Sequence, residues 1–250
     1  MKDITILIAL YKAGDFLPAK IESLQKQTYF NKSTIVLLNC QDLNQESEIY
    51  SDFAADNKNV IVREYKEWKM LYPTWNDGIA MTSSKYIMNS NVDDMLHPEY
   101  VEECCKFLDN NLEYGVVSTE VIVTDKPNQV WPKWDHVISR MPIGYPHHIG
   151  GGTAGPCPMW RRSLHEKYGL FGDYRVIGDA RMWEKWHDNG IKFGVINKDM
   201  VLYLTHINSL ERRSDENGVR FRHLDMGHGW SMKYNGRSQI LGREKHKRDD

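Results

Sequence analysis

Two carboxylates stand side by side in Asn91-Val92-Asp93-Asp94, directly after the short apolar run Tyr86-Ile87-Met88. Adjacent acids at the end of a buried strand are costly to keep unless positive charge balances them, and a divalent cation is the usual partner. The pair therefore reads as a metal-binding loop; the alternative is that Asp94 or Asn91 caps a helix beginning near His97-Pro98. A third acid, Asp179, follows Gly178 at the start of a helical pattern. Trp183 and Trp186 lie at i+4 and i+7 from it and define one face, so the carboxylate stands off the N-terminal end of that face. An N-cap is the alternative for Asp179 as well.

The elements that would position these groups alternate. Ile4-Thr5-Ile6-Leu7-Ile8-Ala9-Leu10 is an unbroken β-rich run, the pattern of a strand buried on both faces of a parallel sheet. A turn, Tyr11 to Gly14, leads to a helix capped by Asp15, with Leu17, Ile21 and Leu24 on one face. Strands follow at 35–38, 60–62 and 86–88, with helices over 44–57 and from Pro73 to Met81 between them. This βαβαβ order implies a parallel sheet with right-handed crossovers. A helix from Pro98 places Val101, Cys104, Cys105 and Leu108 on one stripe, which makes the cysteine pair a core feature. A strand from Val116 to Val123, helices at 163–168 and 178–188, and a strand Val201-Leu202-Tyr203-Leu204 ending at Thr205-His206 complete the pattern. Ligands of open α/β sheets bind outside the carboxyl ends of the strands, which singles out Tyr11, Asn39, Asn91 to Asp94 and His206.

Between Pro127 and Pro158 the regularity gives way to a long proline- and glycine-rich segment, of the kind that forms binding elements or lids. Its Gly150-Gly151-Gly152-Thr153-Ala154-Gly155 run does not follow a buried strand and open a helix, so it is no phosphate cradle and reads as a flexible or closely approached loop. Trp131, Trp134 and His147-His148 either face a ligand or pin this segment down.

At 250 residues the chain suits one elaborated domain. With 26% charged and 41% hydrophobic residues it is neither disordered nor membrane-spanning, and a net charge of −2 offers no global attraction for a polyanion. The opening residues have neither the length of a transmembrane helix nor a signal cleavage region, so the expected compartment is the cytoplasm. The four cysteines lack metal-ligand spacing and read as reduced thiols.

Several of these segments, in order, resemble the family-two glycosyltransferases of the GT-A fold. Ile6-Leu7-Ile8-Ala9-Leu10-Tyr11-Lys12 looks like that family's first strand and turn, and Glu22-Ser23-Leu24-Gln25-Lys26-Gln27-Thr28-Tyr29 its first helix. Trp75-Asn76-Asp77-Gly78-Ile79 and Ser83-Ser84-Lys85-Tyr86-Ile87 are similar to the helix and strand leading to its metal motif, and Asn91-Val92-Asp93-Asp94 to its Asp-x-Asp signature with Asn for the first Asp. Tyr168-Gly169-Leu170-Phe171-Gly172-Asp173 and Gly178-Asp179-Ala180-Arg181-Met182-Trp183 resemble its Gly-x-Phe segment and acidic motif, with Gly178 where the family has Glu. The acidic pair expected after the second strand is Asn39-Cys40-Gln41-Asp42.

The resemblance spans residues 4–208 and implies an α/β fold with a mostly parallel central sheet, a GT-A domain over 1–208 and a basic C-terminal extension over 209–250. The domain would comprise a nucleotide-sugar half (1–96) and an acceptor half (97–208). The implied activity is inverting transfer of a sugar from a nucleoside-diphosphate sugar, a UDP-sugar first among them, to a hydroxyl of a saccharide or other acceptor. Asp179 would be the general base. Asp93, with His206 as a nitrogen ligand or diphosphate contact, would hold Mn²⁺ or Mg²⁺. Ala9, Tyr11, Asn39, Asn76, Asn91 and Val92 would contact the donor, and Gly152, Thr153 and Trp183 would lie on the acceptor side. A nucleic-acid acceptor is a lesser possibility, suggested by the basic tail. Two other readings stay open: a nucleotidyltransferase, against which Tyr11-Lys12-Ala13-Gly14 offers a single lysine, and a sugar- or nucleotide-binding module without catalysis, for which Asn91 and Gly178 speak.

Overall fold

The computed structural model describes residues 3–40, 46–141, 143–144, 154–206 and 209–210, with the backbone of two further strands near the C-terminus. In chain order the elements are β1 (Ile4–Leu10), α1 (Leu17–Gln25), β2 (Ser33–Asn39), α2 (Ser47–Asp56), β3 (Val60–Glu64), α3 (Leu71–Ala80), β4 (Tyr86–Asn89) and β5 (Met95–Leu96). They continue with α4 (Tyr100–Asn110), β6 (Tyr114–Thr124), β7 (Ser139–Met141), β8 (Met159–Arg161), α5 (Ser163–Tyr168), α6 (Gly178–Asp188) and β9 (Lys192–Leu204). The strands β10 (Ser231–Tyr234) and β11 (Arg237–Ile240) pair with each other antiparallel.

One nine-stranded sheet has the order β3-β2-β1-β4-β8-β6-β9-β5, with β7 attached to β6. Strands β3, β2, β1 and β4 are mutually parallel, as are β6 and β9; β8 joins the two groups by pairing antiparallel with both β4 and β6. The halves 1–96 and 97–208 thus share one sheet, since β4 pairs with β8 and β5 with β9.

Successive side chains of a strand point to opposite faces. In β1, Ile4, Ile6, Ile8 and Leu10 enter one core with α1, α2 and α4, while Leu7 enters a second with α3, α5 and α6. Burial on both faces is what the unbroken apolar run required. The stripe Val101, Cys104, Cys105, Leu108 is buried as its spacing predicts, and all four cysteines are buried and free.

Two local expectations need correction. Asp15 does not cap α1: Phe16 occupies that position without a side-chain cap, and the Asp15 carbonyl accepts from Asn128 Nδ2 at 2.9 Å. Helix α3 starts at Leu71, which puts Pro73 third in the helix, where its missing N–H costs no intrahelical bond. The short antiparallel strands β5, β7 and β8 carry too few residues to show a period. No helix of the described residues is long and apolar enough to cross a membrane.

Candidate active site

Because β1, β2 and β4 are parallel, their carboxyl ends share one edge, with Leu10 opposite Asn39 and Leu7 opposite Asn89. Tyr11, Asn91 to Asp94 and, after the parallel strand β9, His206 emerge there. Residues 113 apart in sequence meet: His206 Nε2 lies 3.1 Å from Asp93 Oδ2. Their side chains are 26% and 20% exposed, open enough to take a ligand, and the Phe16 ring lies 5.8 Å from the imidazole. A carboxylate oxygen beside an imidazole nitrogen is a donor pair that could hold a divalent cation, the carboxylate being the ligand that suits Mn²⁺ or Mg²⁺. Among the described residues no group of three or more His, Cys, Asp or Glu side chains is arranged to hold a metal ion. Two protein ligands would leave coordination positions for phosphate oxygens and water, the manner in which Mg²⁺ is commonly held.

Asp94 has a different task. It is fully buried, accepting from Leu204 N at 3.1 Å and from Asn91 Nδ2 at 2.9 Å. Neither it nor Asn91 caps the next helix, whose N-cap is Glu99 with no side-chain cap. Asp94 instead ties the acidic loop to the end of β9, two residues before His206, and so sets His206 beside Asp93. Burial, and next the charge of Asp93, push its carboxyl well above the usual carboxylate range. Lys20, on α1 and absent from the sequence reading, is equally buried: its Nζ donates to Ser90 Oγ and to the Asp94 carbonyl, each at 2.6 Å. Burial pulls this ammonium down, against the charges of Cys157, Asp94 and Asp93. The detectable signal was its position: Leu17, Lys20, Ile21 and Leu24 share one face, and a lysine on an apolar face asks for a buried partner.

Asp179 is the second residue of α6, whose N-cap is Ile177, so the N-cap reading falls. An acid in the first turn still gains from the helix dipole. Its Oδ1 accepts from Tyr72 Oη at 2.9 Å and from Ala180 N at 2.7 Å. Trp183 and Trp186 are buried as one face of α6, as their spacing requires.

The other predicted contacts divide. Tyr11 is exposed at the edge, with Lys12 Nζ 5.6 Å from its ring centroid; Ala9 and Val92 are half-buried against the two cores. Asn91 is turned toward Asp94. Asn39 is only 1% exposed, and its amide donates to Tyr50 Oη at 3.1 Å, so it supports the second helix rather than presenting itself to a donor. Asn76 is engaged at both ends, donating to Phe171 O at 2.9 Å and accepting from Phe171 N at 3.0 Å; it fixes the segment before α6. Trp183 is buried among Trp160, Trp186 and Phe171, with centroids 5.1 to 6.2 Å away, which places it in the core and not on an acceptor surface. Gly152, Thr153 and His147-His148 lie outside the described residues. Trp131 is buried against His97 and Trp134, so it pins the segment.

A mostly parallel sheet flanked by helices, with an acidic loop at the carboxyl edge, is the GT-A arrangement of nucleotide-sugar transferases. The chain belongs to glycosyl transferase family 2, whose family model matches residues 5–169. That range includes Asp93; Asp179 and His206 lie beyond it. EpsE of Bacillus subtilis (strain 168), named as a glycosyltransferase, is 26% identical over 126 residues, 49% of this chain and 44% of EpsE. The uncharacterized glycosyltransferase MJ1057 of Methanocaldococcus jannaschii is 20% identical over 207 residues, 80% of this chain and 70% of its own length. S. aureus TarS 1-349 in complex with UDP-GlcNAc superposes with TM-score 0.70 at 14% identity, over 86% of this chain and 62% of that one. The mannosyltransferase PcManGT from Pyrobaculum calidifontis, in complex with GDP-Man and Mn²⁺, does so with TM-score 0.64 at 13% identity, over 84% and 59%. The chain thus spans less than half of EpsE and about three fifths of these two structures.

Proposed function

We propose that the protein is an inverting glycosyltransferase that moves a sugar from a nucleoside-diphosphate sugar, a UDP-sugar first among the candidates, to a hydroxyl of a saccharide or other acceptor. The observation that carries this reading is the meeting of Asp93 and His206 at 3.1 Å on the carboxyl edge of the sheet. Family membership supports it, as do structural neighbours crystallised with UDP, UDP-GlcNAc or GDP-Man.

Asp93 and His206 would hold Mn²⁺ or Mg²⁺, which when bound neutralises charge developing on the leaving diphosphate. Tyr11, Ala9 and Val92 border the edge where the donor would lie. Asp179 takes the proton of the acceptor hydroxyl while its oxygen bonds to the anomeric carbon. The bond from that carbon to the phosphate oxygen breaks on the opposite side, and the nucleoside diphosphate departs with the electron pair. The net charge of −2 makes a nucleic-acid acceptor the weaker choice.

Calorimetric titration with UDP, GDP, dTDP and CDP, with and without Mn²⁺ or Mg²⁺, tests the donor half of this reading. One nucleotide should bind in a metal-dependent manner, and Asp93→Ala should lose that dependence. Binding that is equal with and without metal and unchanged in Asp93→Ala would remove the metal site; no binding of any nucleotide would remove the donor site.

A further inference from the structure

Asp179 does not stand alone at the head of α6. Tyr72, the second residue of α3, is 1% exposed, and its ring is wedged edge-on against Trp75 at 5.3 Å and tilted against Phe171 at 5.8 Å. A ring packed on two sides in this way has little rotational freedom. Its hydroxyl ends 2.9 Å from Asp179 Oδ1.

The neighbouring glycine is explained by the same ring. A Cβ built on Gly178 would lie 2.6, 2.7 and 2.8 Å from Cδ2, Cγ and Cε2 of Tyr72. A buried ring can yield to that approach only by moving as a whole, so a side chain at 178 and Tyr72 in its present place exclude one another. At 178 this chain carries no side chain, and the space holds a phenol directed at the next residue.

We propose that Tyr72 is the positioning residue of the catalytic base, fixing the Asp179 carboxylate for proton abstraction; the inference rests on the reading of Asp179 as that base. The Tyr72 hydroxyl and the Ala180 N–H both donate to Oδ1, which fixes the orientation of the carboxylate. Burial, and after it the charge of Asp179, hold the phenol well above its ordinary range, so it remains a donor. A merely structural tyrosine would also find its hydroxyl a partner. The two roles separate in kinetics, because a positioning contact acts on turnover and not on donor binding.

The probe reaction is hydrolysis of UDP-GlcNAc and of GDP-mannose with Mn²⁺ at saturating donor, water standing in for the acceptor hydroxyl, run on wild type, Tyr72→Phe and Asp179→Asn. Tyr72→Phe keeps the ring and so the fold, which thermal melting checks. Its kcat should fall by about 10- to 100-fold, the scale of a misplaced reacting group, with nucleotide Kd unchanged within about twofold. Gly178→Ala, which must displace the ring, should show the same split. Full kcat in Tyr72→Phe while Asp179→Asn is inactive would overturn the inference and leave the base intact. Full kcat in Asp179→Asn would overturn the base itself. An equal loss of kcat and of nucleotide affinity in Tyr72→Phe would make the tyrosine structural.

Discussion

The amide nitrogen of Asn91 donates to Asp94 Oδ2 at 2.9 Å, while the main-chain N–H of Leu204 holds the other oxygen at 3.1 Å. The residue that departs from the Asp-x-Asp signature therefore faces the fully buried member of the acidic pair. An amide there supplies a donor to an acid that burial and Asp93 already disfavour as an anion. The division of labour is plain: Asp93 faces His206 on the open side, and Asp94 holds the loop together.

Asn91→Asp should accordingly lower stability, since it sets a second carboxylate against Asp94 and withdraws its donor. The expected loss is about 1–3 kcal/mol in urea unfolding at pH 7. An Asn91→Asp variant as stable as wild type would contradict the contact.

Lys20→Met is expected to cost about 1–3 kcal/mol, because it leaves the buried Asp94 carbonyl and Ser90 Oγ without their donor and removes the ammonium near the Asp94 carboxyl. The double variant Lys20→Met/Asp94→Asn should recover part of that loss, which a double-mutant cycle measures. Strict additivity of the two single changes would show that the ammonium and the carboxyl do not sense each other.

Trp183→Ala should cost about 3–5 kcal/mol of stability, the scale of emptying a large aromatic from a core. Trp183→Phe should be milder and leave turnover nearly intact, because the ring is surrounded by Trp160, Trp186, Phe171 and Phe193. A selective rise in acceptor KM with no change in melting would restore the acceptor-side role.

His165 introduces a dependence on pH. Trp160 Nε1 donates to its Nε2 at 2.9 Å, and its Nδ1 lies 3.0 Å from the Gly169 carbonyl, so the ring is neutral with its proton on Nδ1. Burial lowers its pKa to about 4 from 6.5. Between those values the unfolded chain binds the proton more readily, so this contribution is complete above about pH 6.5 and is lost as the pH falls toward 4. The limit is roughly 3 kcal/mol. Urea midpoints at pH 7 and pH 5 should converge in His165→Gln relative to wild type; an identical pH slope in both proteins would exclude the effect.

Much of this was legible in the residues. The unbroken run of β1, the alternation of strands and helices, and the rule that chemistry gathers at strand ends together placed Asp93 and His206, far apart in sequence, at one edge. What stayed hidden depends on neighbours that local pattern does not name. Lys20 shares the apolar face of α1 with Leu17, Ile21 and Leu24, but that pattern does not name Ser90 and the Asp94 carbonyl as its partners. Asn39 and Asn76 stand where ligand contacts belong, yet Tyr50 and the Phe171 backbone take their amides. Trp183 shares a helix face with Asp179, and only the rings of Trp160 and Phe171 decide that the face is core beyond its first turn. Tyr72 sits beside a proline at a helix start and carried no signal of its tie to α6.

The insertion of β8 between β4 and β6 has a consequence for how the chain is made. Strands β1 to β4 can pair with one another once the first 89 residues have been synthesised, but the outer edge of β4 is filled by residues 159–161. Until those emerge from the ribosome, a row of N–H and C=O groups on β4 stands open, and such an edge readily recruits another chain. The parallel partner of β6 comes later still, with β9. A nascent chain stalled before residue 159 should therefore be the form most dependent on chaperones, and one extended past Leu204 should be released from them.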